Sequence, residues 1–119
     1  MSKHRSNRGA QRAVPVFAAL GDATRLVLVS RLIDGQSHSI AELTNGLSLT
    51  RQGITKHLGI LERAGIVKSR RVGRESRFSY LPKSIEYASS YLDSVCAQWD
   101  DALSRLKTFV ESDSAGQID

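Results

Sequence analysis

Residues 39–67, SIAELTNGLSLTRQGITKHLGILERAGIV, constrain this chain most, because a tight break separates two short apolar-periodic segments there. Ile40 and Leu43 share one helical face, and Ser39 is suited to cap it. Asn45 and Gly46 end that segment. Thr50 is placed to cap a second one, in which Ile54, Leu58 and Leu61 return at helical spacing. Arg51, Gln52, Thr55, Lys56 and Gly59 are left on its free face. KSRRVGRESRFSY follows and reads as a basic β-hairpin. A helix that buries Ile and Leu while turning Arg, Gln, Thr and Lys outward suits a DNA major groove, where such side chains reach base edges and phosphates.

The charge distribution supports that reading. The formal net charge is +5, but residues 51–81 carry eight Lys/Arg against two Asp/Glu, while residues 82–119 carry three against seven. Solubility alone does not require such a division; a footprint for a polyanion explains it. At 119 residues the chain suits one compact domain with a modest core. No apolar run approaches the roughly 18 residues of a membrane span. No secretory-type apolar segment follows the basic N-terminus, so a cytoplasmic protein without a membrane partner is expected. Cys96 is the single cysteine, which excludes an internal disulfide. There is no phosphate-gripping glycine motif, nucleophile elbow, or Cys/His or Ser/His/Asp set of defensible spacing. Neither enzymatic activity nor a cofactor is expected.

Along the chain, residues 1–12 lack apolar periodicity and are expected to form a flexible basic tail. A short helix is expected over about Ala13–Leu20, with Pro15 in its first turn. Asp22 can cap the next helix, whose wide apolar face (Leu26, Val27, Leu28, Val29, Leu32, Ile33) suits the centre of the core; Asp34-Gly35 ends it. After the paired segments, strands are expected at about Ile66–Arg71 and Arg77–Leu81, joined by a turn over residues 72–76 in which Gly73 takes a positive φ. Phe78 and Tyr80 share the strand face that packs on the helices. Pro82 opens a final helix to about residue 112, and residues 113–119 are expected to fray. Ile85, Ala88, Leu92, Val95/Cys96, Trp99, Leu103, Leu106 and Val110 keep spacings of three and four along it. That is more apolar surface than one copy can cover, and pairing with a second copy is the simplest answer. The expected fold is mainly α with a small β-hairpin. It is a winged helix-turn-helix over 13–112, with 82–112 as a long C-terminal dimerisation helix.

These elements together resemble the ArsR-type family of winged-helix repressors over about residues 13–112. The resemblance is carried by ALGDATRLVLVSRL (19–32), the paired segments (39–67) and RRVGRESRFSYL (70–81). In the family a phrase like Thr50–Leu58 opens the recognition helix, GRESRFSYL matches the wing, and Gly21–Arg25 matches a phrase that usually has Pro at the position of Ala23. The resemblance implies a homodimeric, DNA-binding repressor, often one that senses a metal or another signal. The metal-sensing phrases are absent. IAELTNGL carries no Cys or His, the last helix has no His, and His4, His38 and His57 form no ligand set. The chain therefore resembles a branch without a metal site, and its effector is not written in these residues.

The candidate DNA-binding residues are Thr50, Arg51, Gln52, Thr55, Lys56 and His57 on the second segment, with Arg71, Arg74 and Arg77 on the hairpin. Arg51 and Gln52 are suited to guanine and adenine, and Arg74 at the tip to the minor groove. The candidate dimer interface is Leu92, Val95, Cys96, Trp99, Leu103 and Leu106. The expected partners are a double-stranded DNA operator and a second copy of the chain. Each residue also has a plainer reading: a solvated helix face, solubilising charge on an edge hairpin, or, for Cys96, a small buried hydrophobe. A protein-interaction module is the alternative function. It would expose aromatic or apolar anchors on the outer side of 50–63, where Arg, Gln, Thr and Lys stand instead. A redox response through Cys96 or a small-molecule response near Trp99 is a further alternative.

Overall fold

The computed structural model describes residues 2–118 of the chain, and their side chains over residues 8–112. Among the described residues the order is α1 (Ser2–Leu20), α2 (Ala23–Leu32), β1 (His38–Ser39), α3 (Ile40–Thr44), α4 (Arg51–Arg63), β2 (Val67–Val72), β3 (Glu75–Tyr80) and α5 (Pro82–Ile118). The fold is mainly helical with a small antiparallel sheet: a winged helix-turn-helix followed by a long C-terminal helix. Contacts divide it into one unit up to Ala88 and a second from Ser89 onward.

Local chemistry sets the helix starts in the first unit. Asp22 Oδ2 accepts from the Arg25 backbone N–H at 3.0 Å, opening α2. That bond, first among the causes, holds the Asp22 carboxyl below its ordinary range. Ser39 Oγ accepts from Glu42 N at 3.1 Å, and Thr50 Oγ1 from Gly53 N at 3.1 Å, so both expected caps of α3 and α4 are formed. The end of α4 is a Schellman turn: Ile66 N–H bonds the Leu61 carbonyl and Gly65 N–H the Glu62 carbonyl, both at 3.0 Å. Gly65 sits at φ 75, and a Cβ there would stand 2.6 Å from Ser84 Oγ. The positive φ is what requires glycine. The turn aims the chain directly into β2.

The core of this unit is fully enclosed. Leu28 and Leu32 of α2, Leu43 of α3, and Ile54, Leu58 and Leu61 of α4 meet Ile66, Val67 and Phe78, with Val16, Ala19 and Ala88 around them. Helix α4 packs on α2 and α3 along one side and meets β2 as well.

Several expectations about element bounds are corrected. Helix α1 begins at Ser2 rather than near Ala13, so residues 2–12, expected as a flexible tail, are helical; Met1 lies outside the described residues. Pro15 is interior rather than in the first turn. Its missing N–H orphans the Gln11 carbonyl, but both residues are exposed and water can serve it. Buried Ala13 and the Arg12 guanidinium, 4.0 Å above the Tyr87 ring, hold this helix down. The wing turn is also tighter than expected. Val72 pairs with Glu75, leaving Gly73-Arg74 as a two-residue turn. Gly73 at φ 66 before a residue of negative φ is the type II′ pattern that matches strand twist. Helix α5 continues to Ile118, so most of the expected frayed segment is helical, and Asp119 lies outside the described residues.

The hairpin is one part of a three-stranded sheet of order β1-β3-β2, with His38 opposite Phe78 and Ser39 opposite Arg77. Strand β1 carries an ionic clasp. His38 Nε2 lies 3.0 Å from Asp34 Oδ2 and its Nδ1 3.0 Å from Glu42 Oε2; Glu42 in turn lies 3.5 Å from Arg77. Only an imidazolium donates from both nitrogens. Asp34, and after it Glu42, therefore hold the His38 pKa above its ordinary 6.5. A raised folded-state value contributes stability below 6.5 that is lost as pH rises through the folded value. The lowered carboxylates of Asp34 (its first cause the Gln36 backbone N–H) and Glu42 (its first cause His38) contribute only above their ordinary 3.8 and 4.5, and lose that on acidification. Thermal melts of the wild type and His38→Gln should differ most between about pH 4.5 and 6.5 and converge above neutrality. A gap that widens as pH rises above 6.5 contradicts the clasp.

Candidate nucleic-acid interface

Helix α4 is amphipathic in the sense its sequence implies. Ile54, Leu58 and Leu61 are buried, and Arg51, Gln52, Thr55 and Lys56 are exposed. The four exposed side chains span the first two turns, where the helix N-terminus adds positive potential. Thr50 is exposed as well, but its Oγ1 is committed as acceptor to Gly53, which leaves its O–H free to donate. Thr55 Oγ1 donates to the Arg51 carbonyl at 2.8 Å, leaving its methyl and lone pairs outward. A Cβ on Gly53 would meet only Thr50 Oγ1 at 3.4 Å. Packing inside the protomer therefore does not explain this glycine.

The wing is fixed to α4. Ser69 Oγ on β2 donates to Glu62 Oε2 of α4 at 2.7 Å. Ser69 pairs with Phe78 and Arg71 with Ser76, so by alternation Arg71 lies on the same sheet face as the core residue Phe78. Arg71 and Arg74 are both exposed, on the last strand residues and at the tip. Lys68 and Arg70 take the other sheet face.

Two candidate residues are placed otherwise. Arg77 is half-buried and used within the protomer. Its Nε donates to Ser37 Oγ at 3.0 Å, its Nη2 to the Ser37 carbonyl at 2.8 Å, and its Nη1 to Glu75 at 2.9 Å. It ties β3 to the segment leading into β1. His57 turns toward α2, its Nδ1 3.0 Å from Arg25 Nη1. Sequence reasoning read Arg25 only as part of a family phrase and passed over Ser37. No local signal marks either contact, because the partners are 32 and 40 residues apart.

In the second unit, Leu92, Cys96, Trp99, Leu103 and Leu106 are exposed and Val95 is half-buried. Cys96, whose plainer reading was a buried hydrophobe, is an exposed free thiol. Beside Trp99 lies only an open depression of about 210 Å³, lined also by Gln98 and Ala102. Among the described residues, no three His, Cys, Asp or Glu side chains are grouped to hold a metal ion. No single helix there is long and apolar enough to cross a membrane.

A capped helix pair, an outward polar recognition face and a basic wing braced against it define a winged helix-turn-helix regulator. The comparisons agree. A helix-turn-helix domain family matches residues 20–70. The uncharacterized HTH-type transcriptional regulator YuzN of Bacillus subtilis is 43% identical over 65 residues, covering 50% of this chain and 71% of that protein. The uncharacterized HTH-type transcriptional regulator MJ1325 of Methanocaldococcus jannaschii is 36% identical over 63 residues, 53% of this chain and 71% of that one. Among solved structures, an ArsR-like transcriptional regulator from Rhodococcus sp. RHA1 superposes with a TM-score of 0.71 at 35% identity, covering 83% of this chain and 92% of that one. The chain belongs to the ArsR-type winged helix-turn-helix family of DNA-binding transcriptional regulators.

Proposed function

We propose that the protein is a homodimeric repressor that places two copies of α4 in successive major grooves, about 34 Å apart, on a roughly palindromic operator. The observation that carries this reading is the exposure of Arg51, Gln52, Thr55 and Lys56 on a helix whose opposite face is buried. Arg51 and Gln52 read base edges through paired hydrogen bonds, while Thr55 and Lys56 read a base or hold phosphate. Thr50 caps α4 and donates its O–H to phosphate. Arg71 and Arg74 engage the backbone and minor groove from the wing. Arg77 and His57 serve by positioning β3 and α4. Pairing runs through Leu92, Cys96, Trp99, Leu103 and Leu106, with Val95 at its margin. Bound in this way, the dimer blocks polymerase in the cytoplasm at its own or a neighbouring promoter.

If each subunit neutralises about four phosphates, log K should fall against log salt with a slope of about −7. Titration of a labelled operator at several salt concentrations measures it, and a slope near zero rejects the proposal. Arg51→Ala should relax sequence preference at one base position, with a loss of about 1–3 kcal/mol. Arg74→Ala should weaken all duplexes more evenly and flatten the salt slope.

A further inference from the structure

Arg25 lies outside the surface assigned to DNA, yet its guanidinium joins three elements. Nε donates to the Ala19 carbonyl and Nη2 to that of Ala18 at 3.4 Å. Both carbonyls belong to the last turn of α1, and that of Ala18 also accepts from the Gly21 N–H at 3.3 Å. Nη1 reaches His57 Nδ1 on α4 at 3.0 Å. A guanidinium only donates, so Nδ1 is the acceptor and the ring proton sits on Nε2. Asp22 Oδ2, 3.8 Å from the same nitrogen, is beyond hydrogen-bonding range and contributes only charge. Arg25 thus spans from main-chain anchors on α1, through the start of α2, to the helix that carries Arg51, Gln52 and Thr55.

We propose that Arg25 is a positioning residue for α4, setting the helix's angle in the groove so that sequence discrimination depends on a side chain that does not touch DNA. The proposal rests on the DNA reading above. Ile54, Leu58 and Leu61 bind α4 to the core by apolar contact, which resists separation but is non-directional and tolerates small rolls of the helix. A planar fork holding two carbonyls and one ring nitrogen is directional and supplies the missing restraint. Base-edge hydrogen bonds demand side chains placed within about 0.5 Å, whereas phosphate contacts mainly fix register. Loosening the brace therefore erodes specificity before it erodes general affinity.

The test compares binding to a duplex selected by the wild-type protein from a random pool with binding to an unselected duplex. Arg25→Lys keeps the charge and removes the fork; His57→Ala removes the acceptor but leaves the Ala18 and Ala19 bonds. Each should lower the selected-to-unselected affinity ratio by about tenfold, the value of one base contact. For Arg25→Lys the salt slope should stay unchanged. His57→Asn, whose Oδ1 can stand where Nδ1 stood, should recover most of the ratio. Amide exchange over residues 51–57, measured without DNA, should quicken in Arg25→Lys and His57→Ala and return toward wild type in His57→Asn. Should Arg25→Lys not fold, the two His57 variants decide alone. Ratios within about twofold of wild type, equal losses on both duplexes, or unchanged amide exchange each overturn the proposal. If the wild type itself enriches no sequence, the DNA reading fails instead, and the exchange data still judge the brace.

Discussion

Replacing Trp99 and Leu103 together by glutamate is expected to yield a folded monomer whose operator affinity falls by about 10²–10⁴-fold. Trp99 is 64% exposed and Leu103 57%, on a helix that also leaves Leu92, Leu106 and Phe109 in water. The sequence spacing from Leu92 through Cys96, Trp99, Leu103 and Leu106 to Val110 alternates four and three residues, the repeat that keeps a seam facing a partner helix. Charges there forbid pairing by desolvation and repulsion. They leave the first unit's core untouched, since none of its buried members lies beyond Ala88. The affinity loss arises because a dimer delivers its second α4 at high local concentration once the first has bound, and a monomer cannot. The salt slope should halve at the same time, to about −3.5, as one subunit's phosphate contacts disappear. Sedimentation and operator titration together check this. A double variant that sediments as a dimer removes α5 from the interface.

Leu58→Ala is expected to lower unfolding free energy by about 3 kcal/mol. Leu58 is fully buried among residues of α2, α3, α4 and the sheet, so the lost methyl groups leave a cavity that few neighbours can fill. Against a usual total of about 5–15 kcal/mol, that is a large fraction. A domain of this size should melt at least about 12 °C lower. Arg51→Ala, at the exposed start of α4, should leave stability within about 0.5 kcal/mol while altering DNA preference. Denaturation curves for both variants test the division of α4 into a structural and a recognition face. A marginal effect from Leu58→Ala contradicts the packing described here.

The sequence read on its own determined the parts whose causes are local. Ser39 and Thr50 cap α3 and α4 because a hydroxyl at that spacing meets an N–H three residues on. Pro82 opens α5, and Gly73 turns the wing, for equally local reasons of dihedral angle. Most of the outward face of α4 was legible from period, since 3.6 residues per turn turns Gln52, Thr55 and Lys56 away from Ile54, Leu58 and Leu61; Arg51, three residues before Ile54, is exposed because it opens the helix.

Only the tertiary structure decided what depends on distant partners. Strand β1 is two residues long, too short for any periodic signal, and exists because β3 offers it a free edge. Arg77 is indistinguishable from Arg74 as a basic wing residue until Ser37, 40 positions away, arrives beside it. His57 shares a motif with Lys56, yet the end of α1 and the start of α2 bring Arg25 to its ring and engage it within the protomer. Even the reach of α1 through Pro15 was settled by what Ala13 and Arg12 pack against. A side chain's type and period fix its face; its role is set by which group the fold brings within hydrogen-bond range.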